Sequence, residues 1–422
     1  MTSEVLILNK RAVVIGADSA VTTSGGDHPR YSKSANKIFE LTKNGSVAAA
    51  IYGSALIDMV PWELVIKLFR SQLGAVSFGR INEYGSVLIS FLNANEKLFP
   101  KALRNEWVEQ QFDLALKNIF IEVKRANPTF FDQDTLQDER AATWKVEAQR
   151  LRQLFLDEGV AQPLTQNALD ELLQNSIPWV ARAQSQIDAV GFLGGIDATD
   201  LAELGHRMRY SYPELVLQST GLVVAGYGEE QIFPAYEQVD IFGHIGDELY
   251  FKSAGNYEVT HTGIAMIKPL AQTSMIDMFT DGFGRSLEQI IEIQSNKALA
   301  SAFDKLEQEG VRVAPDTSEK IRAACHKEFM IEWKRANWKQ NFNPLIDVLQ
   351  TLNVQEMAHL AESLLNLESL KERVTSASES VGGPIDVAAI TKSEGLVWIK
   401  RKHYFDAGLN VRYMARLQRS LN

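Results

Sequence analysis

Three observations predict an α+β fold. Strand-like and helix-like stretches come in blocks along the chain: strands, helices, strands, helices and strands again. Hydrophobic residues make up 45% of the chain and charged residues 23%, enough apolar material to offset the ordering entropy of a packed core. The 422 residues exceed what one hydrophobic core organises, which predicts two domains or one core with large insertions. No internal repeat or low-complexity tract suggests a solenoid or a disordered tail.

The elements follow in order. Glu4–Leu8 and Ala12–Ala17 are short, apolar and β-branched, and the polar corner Asn9-Lys10-Arg11 makes them a hairpin. A polar loop is expected over Thr22–Ser34. Lys37–Thr42 and Ser46–Tyr52 flank Lys43-Asn44-Gly45, a second hairpin signal. After Gly53-Ser54 the apolar spacing becomes helical over Ala55–Phe69, with Pro61 restarting or kinking the helix. Residues 74–208 read as mostly helical, with helices over Leu103–Val123, Ala142–Leu156 and Asn167–Gln174, the last ending before Pro178. Strands return at Leu222–Ala225, Tyr236–Phe242 and Glu248–Lys252. One helical stretch is expected over Ser274–Phe303, with Gly282 and Gly284 inside it, and a charged helical block continues to Leu349. A helix over Val354–Val374 and strands at Ile385–Thr391 and Leu396–Lys400 close the chain.

Several function classes are excluded. The net charge of −10 makes the chain a poor generic partner for nucleic acid or an anionic membrane. The single cysteine, Cys325, rules out an intrachain disulfide and a multi-cysteine zinc site. Val5-Leu6-Ile7-Leu8 is too short for a secretory core, and the most apolar long window, Ala48–Phe69, contains Asp58, Pro61, Glu63 and Lys67. A soluble cytoplasmic protein is expected. No paired histidine spacing predicts a metal, and no cofactor is expected.

Four positions invite a chemical reading. Thr2 follows Met1, and a small second residue permits Met1 removal. An N-terminal Thr carries its own nucleophile and base, because an α-amine with pKa about 7.7–8.0 accepts a proton at neutral pH. Asp18 ends one apolar strand and Lys37 begins another, and a buried charge of either sign needs the other. A lysine near the nucleophile favours its deprotonation. Gly53 lies at a strand end, where a bare N–H can hold an oxyanion.

These residues resemble the proteasome β-subunit family of N-terminal-nucleophile hydrolases. The Asp of Ala17-Asp18-Ser19 lies sixteen positions after Thr2, as in that family. Lys37-Ile38-Phe39-Glu40-Leu41 matches its lysine strand, and Tyr52-Gly53-Ser54-Ala55 its oxyanion glycine, which follows a strand and opens a helix. Val223-Val224-Ala225-Gly226-Tyr227 is similar to its central strand, and Gly382-Gly383-Pro384-Ile385-Asp386-Val387 to its late glycine turn. The family's Asp-x-x-Ser pair before those glycines is absent: Ser378 and Val381 occupy the places, and Glu379 or Ser380 are the candidate substitutes. The family's glycine-serine-glycine turn is also missing near Ile267–Ser274.

The resemblance implies a four-layer αββα sandwich with large helical insertions. The core falls in residues 1–73, 216–299 and 351–422, and the insertions in 74–215 and 300–350. It implies a threonine-type hydrolase of amide, first of all peptide, bonds: Thr2 nucleophile, Asp18 and Lys37 tuning it, Gly53 holding the oxyanion and Ser19 supporting by hydrogen bonds. It implies a homo-oligomer, ring-like in the family, and leaves an ATPase partner open. Two other functions remain: a non-catalytic proteasome-like structural or regulatory subunit, and a small-molecule amidase.

Plainer readings stand beside these. Asp18 and Lys37 can be a structural ion pair, and Gly53 a positive-φ turn. Gly226-Tyr227-Gly228 lacks the ending of a phosphate loop, and Asp281-Gly282-Phe283-Gly284 lacks the other kinase motifs. Lys400-Arg401-Lys402-His403 reads as a solvated strand end, and Trp333 and Trp338 lie on different helix faces.

Overall fold

A computed structural model describes residues 3–23, 30–43, 45–157, 176–191, 193–212, 219–245, 248–311, 313–375, 382–403, 405–406, 408–412 and 414–415. The chain is α+β with antiparallel sheets. It opens with β1 (Ser3–Leu8) and β2 (Val13–Ala17), the expected hairpin, in which Glu4 faces Ala17 and Leu8 faces Val13. The expected loop over Thr22–Ser34 contains a short strand pair, β3 (Val21–Thr23) and β4 (Arg30–Ser32). β5 (Ile38–Glu40) and β6 (Val47–Gly53) form the second hairpin.

The helix expected from Ala55 starts later. Residues 56–61 make a small hairpin, β7 (Leu56–Ile57) and β8 (Val60–Pro61), and α1 (Trp62–Leu73) begins after Pro61, which caps it. Proline suits that boundary, since its fixed φ fits a helix start and it has no N–H to leave unbonded. Then come α2 (Ile81–Ala94), α3 (Lys101–Ala126), α4 (Gln137–Asp157), α5 (Ser176–Val190) and α6 (Ala198–Ser211). The predicted helix at Asn167–Gln174 lies outside the described residues, and Pro178 sits in the first turn of α5.

Strands β9 (Thr220–Gly226), β10 (Ala235–Ile245) and β11 (Glu248–Glu258) are as expected but longer. β12 (Met266–Ala271) was not anticipated: Lys268 and Pro269 interrupt its apolar pattern. It is an edge strand, the place in a sheet where a proline is tolerated. The single helix expected over Ser274–Phe303 is two, α7 (Ser274–Asp281) and α8 (Arg285–Gln308). Gly282 stops the first in a left-handed conformation, φ +77°, that favours glycine. α9 (Pro315–Asn337), a π turn at Trp338–Phe342, α10 (Asn343–Leu349), α11 (Val354–Thr375), β13 (Asp386–Thr391) and β14 (Gly395–Lys400) complete the order.

The strands make two five-stranded sheets, ordered β12-β1-β2-β13-β14 and β11-β10-β9-β6-β5. Alternate residues of each strand face opposite ways, and the buried clusters follow that period. Leu6, Leu8, Val13 and Ile15 meet Ala48, Ala50, Val223 and Ala225 between the sheets. Val5, Ile7 and Val14 point the other way, onto Ile346 of α10 and Met357, Ala361 and Leu365 of α11. Ala49, Ile51, Leu222 and Val224 pack on Trp62 and Phe69 of α1 and Tyr84 and Leu88 of α2. Covered on both faces, β1 is buried throughout, which is why its sequence reads as one apolar run. Gly16 lets α11 approach: a Cβ there would lie 2.9 Å from Leu365 Cδ1.

Helices α3 to α6 enclose their own core, with Phe112, Leu116, Trp144, Leu151 and Leu204 buried together. Phe242 of β10 and Tyr250 of β11 join it, so the helical block is rooted on one edge of the second sheet. No residue of α9 is buried. Among the described residues, no helix is long and apolar enough to cross a membrane, and no group of three or more His, Cys, Asp or Glu is placed to hold a metal ion.

Candidate active site

The sheet interior is apolar except at one end, where β1 begins. Asp18 follows the last residue of β2 and Lys37 precedes the first of β5, so the face-to-face packing of the two hairpins brings them together. Lys37 Nζ lies 2.5 Å from Asp18 Oδ1, with side chains 3% and 1% exposed. The same Oδ1 accepts the Ser3 N–H at 3.1 Å, and Oδ2 accepts the Gly382 N–H at 2.8 Å. One carboxylate thus holds the start of β1, the residue that leads into β5 and the turn before β13. Three donors satisfy it, the condition under which a buried charge is tolerated.

Ser19 ties down the same turn from the other side. Its Oγ donates to the Pro384 carbonyl at 2.5 Å, and its N–H to the Gly382 carbonyl at 3.3 Å. The hydroxyl is therefore committed to backbone.

Gly53 ends β6 with φ +80°, the left-handed region that favours glycine. The small hairpin of β7 and β8, and no helix, follows it directly, which corrects the strand-to-helix junction expected there. The Lys37 carbonyl accepts the Ile51 N–H at 3.0 Å, two residues before Gly53. A Cβ at Gly53 would lie 2.7 Å from the Ser219 carbonyl oxygen. Gly53→Ala is expected to lose about 1–3 kcal/mol of stability, read from urea midpoints, because the backbone conformation and the close oxygen both oppose a side chain.

That hairpin is pinned by a second buried pair. Asp58 accepts the His244 backbone N–H at 3.1 Å and bonds the His244 ring through Nδ1, with both side chains shielded from solvent. Asp58 and Met59 have φ of +45° and +67°, a strained conformation for such residues.

Sequence reasoning missed Glu4. It is fully buried, and among the described residues neither carboxylate oxygen has a hydrogen-bond partner. Burial pushes its carboxyl well above the usual range; the Lys37 ammonium opposes the rise and the Asp18 carboxylate adds to it. The signal was present: Glu4 shares the period-2 face of Leu6 and Leu8, so it points between the sheets. Tyr52 of β6 stands within its field, its phenol pushed up first by burial and then by Asp240. Tyr52 Oη donates to Asp240 Oδ1 at 3.2 Å and accepts from Gln238 Nε2.

An open cavity of about 420 Å³ lies beside the head of β1, lined by Gln272, Thr273, Ser274, Lys371 and Glu372 among others. Ser3 Oγ donates to the Gln272 carbonyl at 3.4 Å, which places the cavity next to Ser3. Thr2, Glu379 and Ser380 lie outside the described residues.

No family model matches the chain, and no curated protein does. Among solved structures it is similar to the Anbu (Gly-1) mutant from Hyphomicrobium sp. strain MC1, at 12% identity over 100% of this chain and 96% of that one, with a TM-score of 0.28.

Proposed function

We propose that the chain is a proteasome-like N-terminal-nucleophile amide hydrolase whose nucleophile is Thr2, freed by removal of Met1. The observation that carries this reading is the Asp18 carboxylate bound at once to Lys37 and to the Ser3 N–H. That nitrogen is covalently joined to residue 2, so the peptide bond ties Thr2 to the ion pair. A buried ion pair is a poor stabiliser, since apolar residues of equal volume do as well or better, so its placement at the chain start favours a chemical role.

In the proposed cycle Thr2 Oγ attacks the amide carbon while the Thr2 α-amine takes the hydroxyl proton. The Lys37 ammonium, oriented by Asp18, keeps that amine neutral and favours the alkoxide. The Gly53 N–H receives the developing oxyanion. The α-amine returns its proton to the leaving amine, and water then cleaves the ester that links the acyl group to Thr2. The fold reading belongs with this: a four-layer αββα core in residues 1–73, 216–299 and 351–422, carrying helical insertions in 74–215 and 300–350. α2 packs on the sheet beside α1, which suggests that the first insertion proper begins after it.

Intact-mass measurement on protein purified from its native cells tests the reading. The expected result is loss of Met1 and a covalent adduct with an epoxyketone or β-lactone probe, absent in Thr2→Ala. Full retention of Met1 overturns it and leaves a non-catalytic subunit. A second reading, a small-molecule amidase, is favoured by the cavity beside Ser3, whose 420 Å³ is of small-ligand size.

A further inference from the structure

Around Lys37 the charges do not balance unless one acid is neutral. The ammonium has two buried carboxyls near it: Asp18 in direct contact, and Glu4 one residue along β1 from the Ser3 N–H that Asp18 accepts. Glu4 faces inward in a cross-strand row that runs from Leu270 of β12 through Ala17 of β2 to Asp386 of β13. Asp386 is already paired with Lys402. From the facing sheet Tyr52 supplies a phenol engaged with Asp240 and Gln238, and Lys268, in register with Leu6 on β12, acts on Asp240. Among the described residues no donor reaches Glu4. A second anion at that position would be buried without a hydrogen bond, the most costly state a carboxyl can adopt.

We propose that Glu4 is a positioning residue that acts through Lys37: neutral at working pH, it leaves the ammonium paired with Asp18 alone and its field directed at the nucleophile, and on ionising it cancels that field and turns the site off. This rests on the hydrolase reading for its catalytic consequence, but the charge state of Glu4 does not. Deprotonation of Glu4 places two carboxylates against one ammonium and takes the cluster from neutral to a net charge of −1, which opposes formation of an alkoxide. The site thereby acquires an alkaline limit set by a residue that touches no substrate.

The sign of the linked stability follows from the raised pKa. The folded chain keeps the Glu4 proton where the unfolded chain has lost it, so this contribution is full below the ordinary glutamate range. It is lost as pH rises toward the folded value. Glu4→Gln, which mimics the neutral acid and cannot ionise, is expected to gain stability relative to the parent as pH rises through that window.

Infrared spectroscopy of the full chain tests the charge state directly. The expected result is a protonated-carboxyl C=O band at neutral pH that is absent in Glu4→Gln. In Lys37→Met the band persists to a pH higher by about 1–3 units, because the cation that favoured ionisation is gone. Absence of the band at neutral pH in the parent, or no shift in Lys37→Met, overturns the proposal whether or not the protein hydrolyses amides. Where the probe adduct forms, its alkaline decline in rate should coincide with loss of the band and move to higher pH in Glu4→Gln. An unchanged alkaline limb in Glu4→Gln also overturns it. If no adduct forms while the band behaves as expected, the hydrolase reading fails and the charge assignment stands.

Discussion

Asp18→Ala is expected to destabilise the chain by about 3–5 kcal/mol and to abolish probe labelling. The substitution leaves Lys37 as a buried ammonium without its partner and strands the N–H groups of Ser3 and Gly382. Urea unfolding at constant slope reads the stability loss. The double variant Asp18→Ala, Lys37→Met is expected to recover more than half of it, because most of the penalty is the unpaired charge rather than lost packing. If the double variant is as unstable as the single one, the ion pair is not the source of the effect. Asp18→Ala should also remove the Glu4 infrared band at neutral pH, since Glu4 becomes the nearest anion available to Lys37.

The second large effect is expected far from this site. Trp144 is 2% exposed in the core of α3 to α6, and Trp144→Ala should remove about 3–5 kcal/mol from that block. The loss should be local. Amide exchange is expected to lose protection across α3, α4 and α6 while β2 and β13 keep theirs, because Trp144 belongs to a cluster separate from those between and around the sheets. Equal loss of protection in both regions would mean that the helical block and the sheets unfold as one cooperative unit.

Part of this architecture was legible in the residues. The two N-terminal hairpins were readable because turn residues separate apolar runs. The meeting of Asp18 with Lys37 was readable because each ends or begins a strand with no room for an unpaired charge. Other features were hidden for definable reasons. Glu4 was absorbed into an apolar run, since burial of both faces erases the alternation that would have singled it out. β12 escaped because Lys268 and Pro269 are poor strand residues, and only its edge position accommodates them. The break between α7 and α8 depends on a left-handed Gly282, and a glycine in a helical pattern does not announce its φ. Ser19, expected to support by hydrogen bonds, donates its hydroxyl and its N–H to the backbone carbonyls of Pro384 and Gly382, a partner choice that no side-chain pattern announces.

The Asp18 contact with Gly382 joins residues 364 positions apart. On a ribosome working at roughly 5–20 residues per second, roughly 20–70 s pass between the synthesis of one and of the other. β1 and β2 lack both outer neighbours until β12 (Met266–Ala271) is made, and β2 lacks β13 (Asp386–Thr391) to the end of that interval. The growing chain therefore presents an apolar hairpin with two open edges, the kind of surface on which chaperones act. It also means that the Asp18 carboxylate lacks its Gly382 N–H until almost the whole protein exists. A fragment released early would carry Asp18 without the turn at 382–384 whose N–H it binds. The carboxylate's set of three donors is thus assembled only when the chain is nearly complete.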